Sequence, residues 1–89
     1  MIPEGILSAL GAKGTEKILS KLADGPKRPK DLVKSSTVSE PTAYTRIREL
    51  EKHNIICACI LEENKRTYKG YQLTELGKQI IELLTGGGI

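Results

Sequence analysis

Few side chains in this sequence are of a kind and spacing to do chemistry. The single histidine, His53, stands close to the only two cysteines, spaced Cys57-Ala58-Cys59. A Cys-x-Cys pair near a histidine invites a soft-metal reading. A tight zinc or soft-metal site takes three or four ligands, and no further cysteine exists here. Small strand residues, packed or partly exposed, are the plainer reading, and thiols bridging two subunits are a remaining alternative. The two cysteines are too close along one strand face for an unstrained disulfide. His53 ends a helical pattern, where the helix dipole favours a cation, so it reads as a capping residue rather than a ligand. Without paired carboxylates or a Ser/His/Asp set, hydrolytic and acid/base chemistry has almost nothing to work with. No catalytic residue, metal or cofactor is expected.

A richer set lies between Ser39 and Lys52. At 100° per residue Ala43, Ile47 and Leu50 fall within about 60° of one another and form a narrow apolar stripe. Thr45, Arg48 and Lys52 lie opposite, with Thr42 and Tyr44 flanking them. The outer side of this helix thus carries hydroxyls, an aromatic ring and cations in place of Glu/Lys pairs. Such groups recognise rather than react: they suit base edges and phosphate oxygens.

Presenting that face requires a particular order of elements. Ile2, Ile6, Leu7 and Leu10 have helical spacing after Pro3 and Glu4, and the run from Gly11 to Gly14 breaks it. Thr15 is placed to cap a second helix with an Ile18, Leu19 and Leu22 stripe, which Asp24-Gly25-Pro26 ends. Pro29 opens a two-turn helix over Lys30 to Lys34 that stops in Ser35-Ser36-Thr37. Ser39 caps the helix that runs to about His53, with Glu40 and Pro41 in its first turn, and Asn54 suits a left-handed cap. Ile55 to Leu61 is short, β-branched and strand-like. Glu62 to Arg66 forms a polar turn, and Thr67 to Leu73 a return strand. Thr74 caps a final helix with Glu75 at its positive end. Helix, helix, short helix, tight turn, longer helix, hairpin, helix is the winged helix-turn-helix layout. The fold class is α+β, mostly α, with a two-stranded β-hairpin wing and an additional C-terminal helix. One domain is expected over 1–89: an N-terminal helical extension (1–13), a three-helix core with the helix-turn-helix (14–54), the wing (55–73), the C-terminal helix (74–85) and a flexible tail (86–89).

The composition explains why this domain would seek company. Eighty-nine residues with no Trp, no Phe and three Tyr leave a thin aliphatic core, centred on Ile18, Leu22, Leu32, Ala43, Ile47 and Leu50 and closed by Tyr71. A chain this short buries only about two-thirds of its unfolded surface. Ile2, Ile6, Leu7 and Leu10 at one end, with Leu76, Ile80, Leu83 and Leu84 at the other, exceed what that core needs and are expected to meet across a two-fold axis. No apolar run approaches the ~20 residues of a membrane span, and no secretory leader is legible, so a cytoplasmic protein without a membrane partner is expected. The net charge of +3 is concentrated: residues 27–69 hold ten basic and six acidic side chains, a bias suited to phosphates but shared with many solvated surfaces.

Three blocks carry a resemblance: Asp24-Gly-Pro-Lys-Arg-Pro-Lys-Asp-Leu32, the run from Val38 to Ile56, and Tyr71-Gln-Leu-Thr-Glu-Leu-Gly-Lys-Gln-Ile-Ile81. Together they resemble the small prokaryotic regulators of the MarR superfamily, nearest to the HxlR type, over about residues 14 to 84. The resemblance implies a dimeric transcription regulator that binds double-stranded DNA, with its recognition helix in the major groove and its wing on the backbone or minor groove. On these residues it places Ser39, Thr42, Tyr44, Thr45 and Arg48 near the groove, with Lys52 on the same face. Arg46 lies to the side, toward a phosphate. Lys65 and Arg66 stand at the wing tip with Lys69 behind, and Arg28 and Lys30 flank the backbone. A dimer would set two recognition helices about 34 Å apart, matching half-sites one helical turn apart. Asn54 stands where the family has Gly, Glu40 brings a negative charge near the DNA-facing end, and the wing is short.

A second reading keeps the fold and changes the function: a winged-helix module that binds another protein within a larger assembly. The outer face of the recognition helix separates the two, since a protein interface would favour exposed Leu, Met or Phe there.

Overall fold

The computed structural model describes residues 4–84. Ile2 and residues 85–89 lie outside the described residues, as do the side chains of Ile6 and Leu7. Helices α1 (Glu4–Leu10), α2 (Thr15–Ala23), α3 (Pro29–Ser36) and α4 (Glu40–Lys52) precede an antiparallel hairpin, β1 (Ile56–Glu63) and β2 (Arg66–Leu73), and α5 (Glu75–Leu84) follows. This is the expected winged helix-turn-helix, mostly helical with a two-stranded sheet. No helix among the described residues is long and apolar enough to cross a membrane.

The local signals at α3 and α4 act as their chemistry requires. Pro29 opens α3, where its missing N–H has no helical partner to lose. Ser39 is the N-cap of α4 and its Oγ accepts from the Thr42 N–H at 3.4 Å. Between them the turn is sharp: Thr37 takes a left-handed φ of 61°, while the buried Ser36 hydroxyl donates to the Val33 carbonyl at 2.7 Å. Ala43, Ile47 and Leu50 all point inward. They meet Ile18, Leu22 and Leu32 in the core, joined by Leu19, Ile55 and Ile56 and closed by Tyr71.

Three expectations are corrected. Gly14, at φ 92°, occupies the N-cap of α2; Thr15 is buried one residue later, and its hydroxyl donates to the Ala9 carbonyl at 3.1 Å. The wing is long rather than short, because Glu62, Glu63 and Arg66 pair within the strands and the turn shrinks to Asn64-Lys65. Both turn residues have positive φ, 53° and 65°, as a two-residue hairpin turn matching strand twist demands. Ile80 is unavailable to a partner subunit: it lies on the inner side of α5, 2% exposed, within the core cluster.

The hairpin is fastened to the helices at two places. The Lys27 N–H donates to the Tyr71 carbonyl at 3.0 Å and the Tyr71 N–H returns to the Lys27 carbonyl at 2.9 Å, a one-residue third strand that the sequence pattern did not disclose. At the other end Thr74 caps α5, its Oγ accepting from the Gly77 N–H at 3.0 Å while its hydroxyl donates to the Asn54 carbonyl at 2.6 Å. Thr74→Ala removes both and is expected to lower the unfolding free energy by about 1–2 kcal/mol, read as a lower urea midpoint with unchanged slope.

Candidate nucleic-acid interface

Helix α4 divides its surface cleanly. Its apolar stripe is buried, and Ser39, Pro41, Thr45, Arg48 and Lys52 are exposed on the other side, with Thr42 half-buried beside them. These polar groups are linked in short chains. The Ser39 hydroxyl donates to Thr42 Oγ1 at 2.8 Å, the Thr45 hydroxyl to the Pro41 carbonyl at 3.0 Å, and Arg48 Nη2 to Thr45 Oγ1 at 3.3 Å. Arg48 is thereby oriented along the helix with most of its guanidinium edge unused. Tyr44 is half-buried and packs against the core while lining a hollow with Lys30, Val33, Lys34 and Glu40 between α3 and α4. It is a wall between the two helices as much as an outward contact.

Arg46 departs from expectation. Its Nε donates to the Lys13 carbonyl at 3.0 Å and its Nη1 pairs with Glu49 at 2.9 Å. Being on the flank of α4, it reaches back to the α1–α2 loop and does structural work, so it is withdrawn from the set of phosphate contacts. Lys34 replaces it as an overlooked cation. It is exposed, one turn beyond Lys30 on the same side of α3, and borders the hollow beside Tyr44. The i, i+4 spacing of two lysines was the available signal.

In the wing, Lys65 and Arg66 are exposed at and beside the turn, and Lys69 lies exposed on β2. Lys69 Nζ sits 5.3 Å from the Tyr71 ring centroid, and hydrogen bonding with Tyr71, then its charge, holds the ammonium above its ordinary value. Arg28 is half-buried at the N-cap of α3, with its guanidinium carbon 4.4 Å from the Tyr68 ring centroid. The cations expected at the interface therefore lie on α4, at the start of α3 and in the wing, and of these Arg46 is turned back to the α1–α2 loop.

Cys57 and Cys59 alternate with exposed residues along β1 and are half-buried on one strand face. Burial, with the neighbouring Cys57 second, pushes the Cys59 thiol up, away from the thiolate that metals and oxidants prefer. Among the described residues no three His, Cys, Asp or Glu side chains gather as a metal-binding group.

The end of α5 carries an exposed apolar patch. Leu83 and Leu84 are 68% and 61% exposed, and an open hollow of about 260 Å³ lies beside them, lined by Leu10, Leu19, Ile81 and Leu84 with Glu16 and Ser20. Leu10 and Leu76 are half-buried against the core, so each offers part of its surface only.

With this geometry, the chain is matched over residues 9–86 by the family described as HxlR-like helix-turn-helix. The reduced form of the transcriptional regulator YodB from B. subtilis superposes with a TM-score of 0.78 at 30% identity, covering 99% of this chain and 88% of that one. Diamide-treated YodB gives the same score and identity over 99% and 89%. A MarR-family protein from Enterococcus faecalis V583 shares the fold, with a TM-score of 0.75 at 23% identity over 90% and 73% of the two chains. No curated protein sequence matches.

Proposed function

This chain belongs to the HxlR-like helix-turn-helix family of transcriptional regulators, and on that premise we propose that it acts as a homodimer on specific sites in double-stranded DNA. The observation that carries the reading is the split surface of α4: a buried aliphatic stripe behind an exposed row of Ser39, Thr45, Arg48 and Lys52. Arg48 reads a guanine edge through two parallel hydrogen bonds, and Ser39, Thr42 and Thr45 contact bases or phosphates beside it. Tyr44 stacks at the margin. Arg28, Lys30, Lys34, Lys52, Lys65, Arg66 and Lys69 meet the phosphate backbone, with the wing on the adjacent groove. The partner is the DNA of a prokaryotic cell, which places the protein in the cytoplasm.

Dimerisation joins the apolar patches at α5. Exposed Leu83 and Leu84 next to the hollow at Leu10 and Leu19 make a patch that a second copy would cover. A module for binding a different protein through α4 is disfavoured, because its described outer face offers hydroxyls and cations where such a groove needs apolar anchors.

Selection from a random duplex pool, followed by titration of a winning sequence across salt concentrations, tests this. Two subunits per site and an inverted repeat are expected. Each phosphate neutralised contributes about −0.9 to the slope of log affinity against log salt, so if half the backbone cations of a dimer engage, the slope is about −6. Affinity independent of salt, or no duplex bound, would refute it.

A further inference from the structure

Arg28 differs from the other cations of the interface in how completely it is held. Its backbone follows the Lys27–Tyr71 bridge directly, and it is the N-cap of α3 at φ −77° and ψ 153°, its carbonyl accepting from the Asp31 and Leu32 N–H groups at 3.0 and 3.2 Å. Its side chain ends over the ring of Tyr68, on β2. Gly70 lets the Lys27 backbone lie close against β2: a Cβ there would stand 3.1 Å from the Lys27 carbonyl and press into Leu61. One residue thus touches both the helix-turn-helix and the wing.

We propose that Tyr68 is a positioning residue for DNA binding, its ring holding the Arg28 guanidinium edge-outward so that a backbone phosphate is clamped in fixed register with the wing. The inference rests on the duplex-DNA reading above. At 4.4 Å from the ring centroid the guanidinium carbon is within range of face-to-face stacking, the arrangement that leaves its five in-plane N–H donors free. Among the described residues no hydrogen bond or ion pair to Arg28's guanidinium is present, in contrast to Arg46, whose Nε and Nη1 are both engaged. Arg28 is therefore oriented without any donor being used. Phosphate binding then immobilises a side chain whose rotamer freedom the ring contact has already narrowed, and a planar fork presents two parallel donors to the phosphate oxygens. The contact adds a side-chain link beside the Lys27–Tyr71 bridge that already fastens the hairpin to the helices.

A double-mutant cycle on a duplex selected by the wild type tests this, with affinity and salt slope read by fluorescence anisotropy. Y68L is expected to weaken binding about two- to fivefold per subunit, the worth of an exposed cation–π contact, and Y68F, which keeps the ring, to bind as the wild type. R28A is expected to lose more and to flatten the slope by about 0.9 per subunit. In the R28A background, Y68L should change nothing further. Equal losses from Y68L in both backgrounds overturn the proposal, because Tyr68 would then act on DNA or on folding without Arg28. R28K keeps the charge without the planar fork and is expected to bind about as weakly as Y68L; wild-type affinity for R28K overturns the proposal even if Y68L does not fold. Failure of the wild type to bind any duplex defeats the functional reading instead, whereas a binding wild type that Y68L leaves untouched defeats only the role of Tyr68.

Discussion

Alanine at position 77 is expected to lower the unfolding free energy by about 3 kcal/mol, the upper part of the range for overpacking, although glycine in a helix interior is ordinarily the weaker residue by about 0.5–1 kcal/mol. The sign reverses because Gly77 is buried in the first turns of α5, where a Cβ would overlap the Ile55 carbonyl oxygen and come within 3.2 Å of Leu73. Ile55 has nowhere to move. Its side chain is fully buried, its N–H donates to the Leu50 carbonyl at 2.9 Å, and its own carbonyl accepts from the Thr74 N–H at 3.1 Å. Relief must come from shifting α5 outward, which loosens Ile80 in the core and the cap at Thr74. For a domain of this size each kcal/mol is worth roughly 4–8 °C, so the melting temperature should fall by about 12 °C or more. A rise in melting temperature, as helix propensity alone would give, contradicts the close approach.

Arg48→Ala is expected to weaken binding to the selected duplex by about 1–3 kcal/mol for each half-site contact, and to relax preference at one base pair per half-site while leaving the other positions unchanged. The residue is exposed, and its single described hydrogen bond is to Thr45 on the same helix, so its loss should leave the melting temperature nearly unmoved. Lys65→Ala is the contrasting variant. Located in the wing turn, it should weaken all duplexes about equally and flatten the salt slope by about 0.9 per subunit. Quantitative binding to a panel of single-base variants separates the two patterns. Equal losses across the panel for Arg48→Ala would assign it to the backbone rather than to a base.

Features governed by neighbours in the chain were readable from the sequence. The period of Ala43, Ile47 and Leu50 identifies the inward side of α4, and Ser39 and Pro29 act within one turn of where they stand. What escaped depends on groups distant in sequence. Thr15 has the local chemistry of a cap, but the Ala9 carbonyl, brought beside it by the turn between α1 and α2, captures its hydroxyl. Arg46 has the look of a phosphate contact until the Lys13 carbonyl, 33 residues away, takes its Nε. Ile80 shares a helical face pattern with Leu83 and Leu84, and only the docking of α5 over Ile55 decides which of them is covered. The wing was underestimated because polarity suggests a loop, whereas Glu62, Glu63 and Arg66 are strand residues whose side chains simply face water. Of the interface cations, exposure was inferable one by one; the stacking of Arg28 on Tyr68 joins residues 40 apart and has no periodic signature.

The split surface of α4 also bears on how such a protein can diverge. Because Thr45, Arg48 and Lys52 share no packing with Ala43, Ile47 and Leu50, mutations on the outer row are nearly silent for folding, and a lineage can drift to new operators through a chain of folded intermediates. Arg46, bonded to the Lys13 carbonyl and Glu49, marks the border of that freedom: a change there alters the scaffold along with the surface, so the shortest evolutionary routes to a new binding site run through the positions on either side of it.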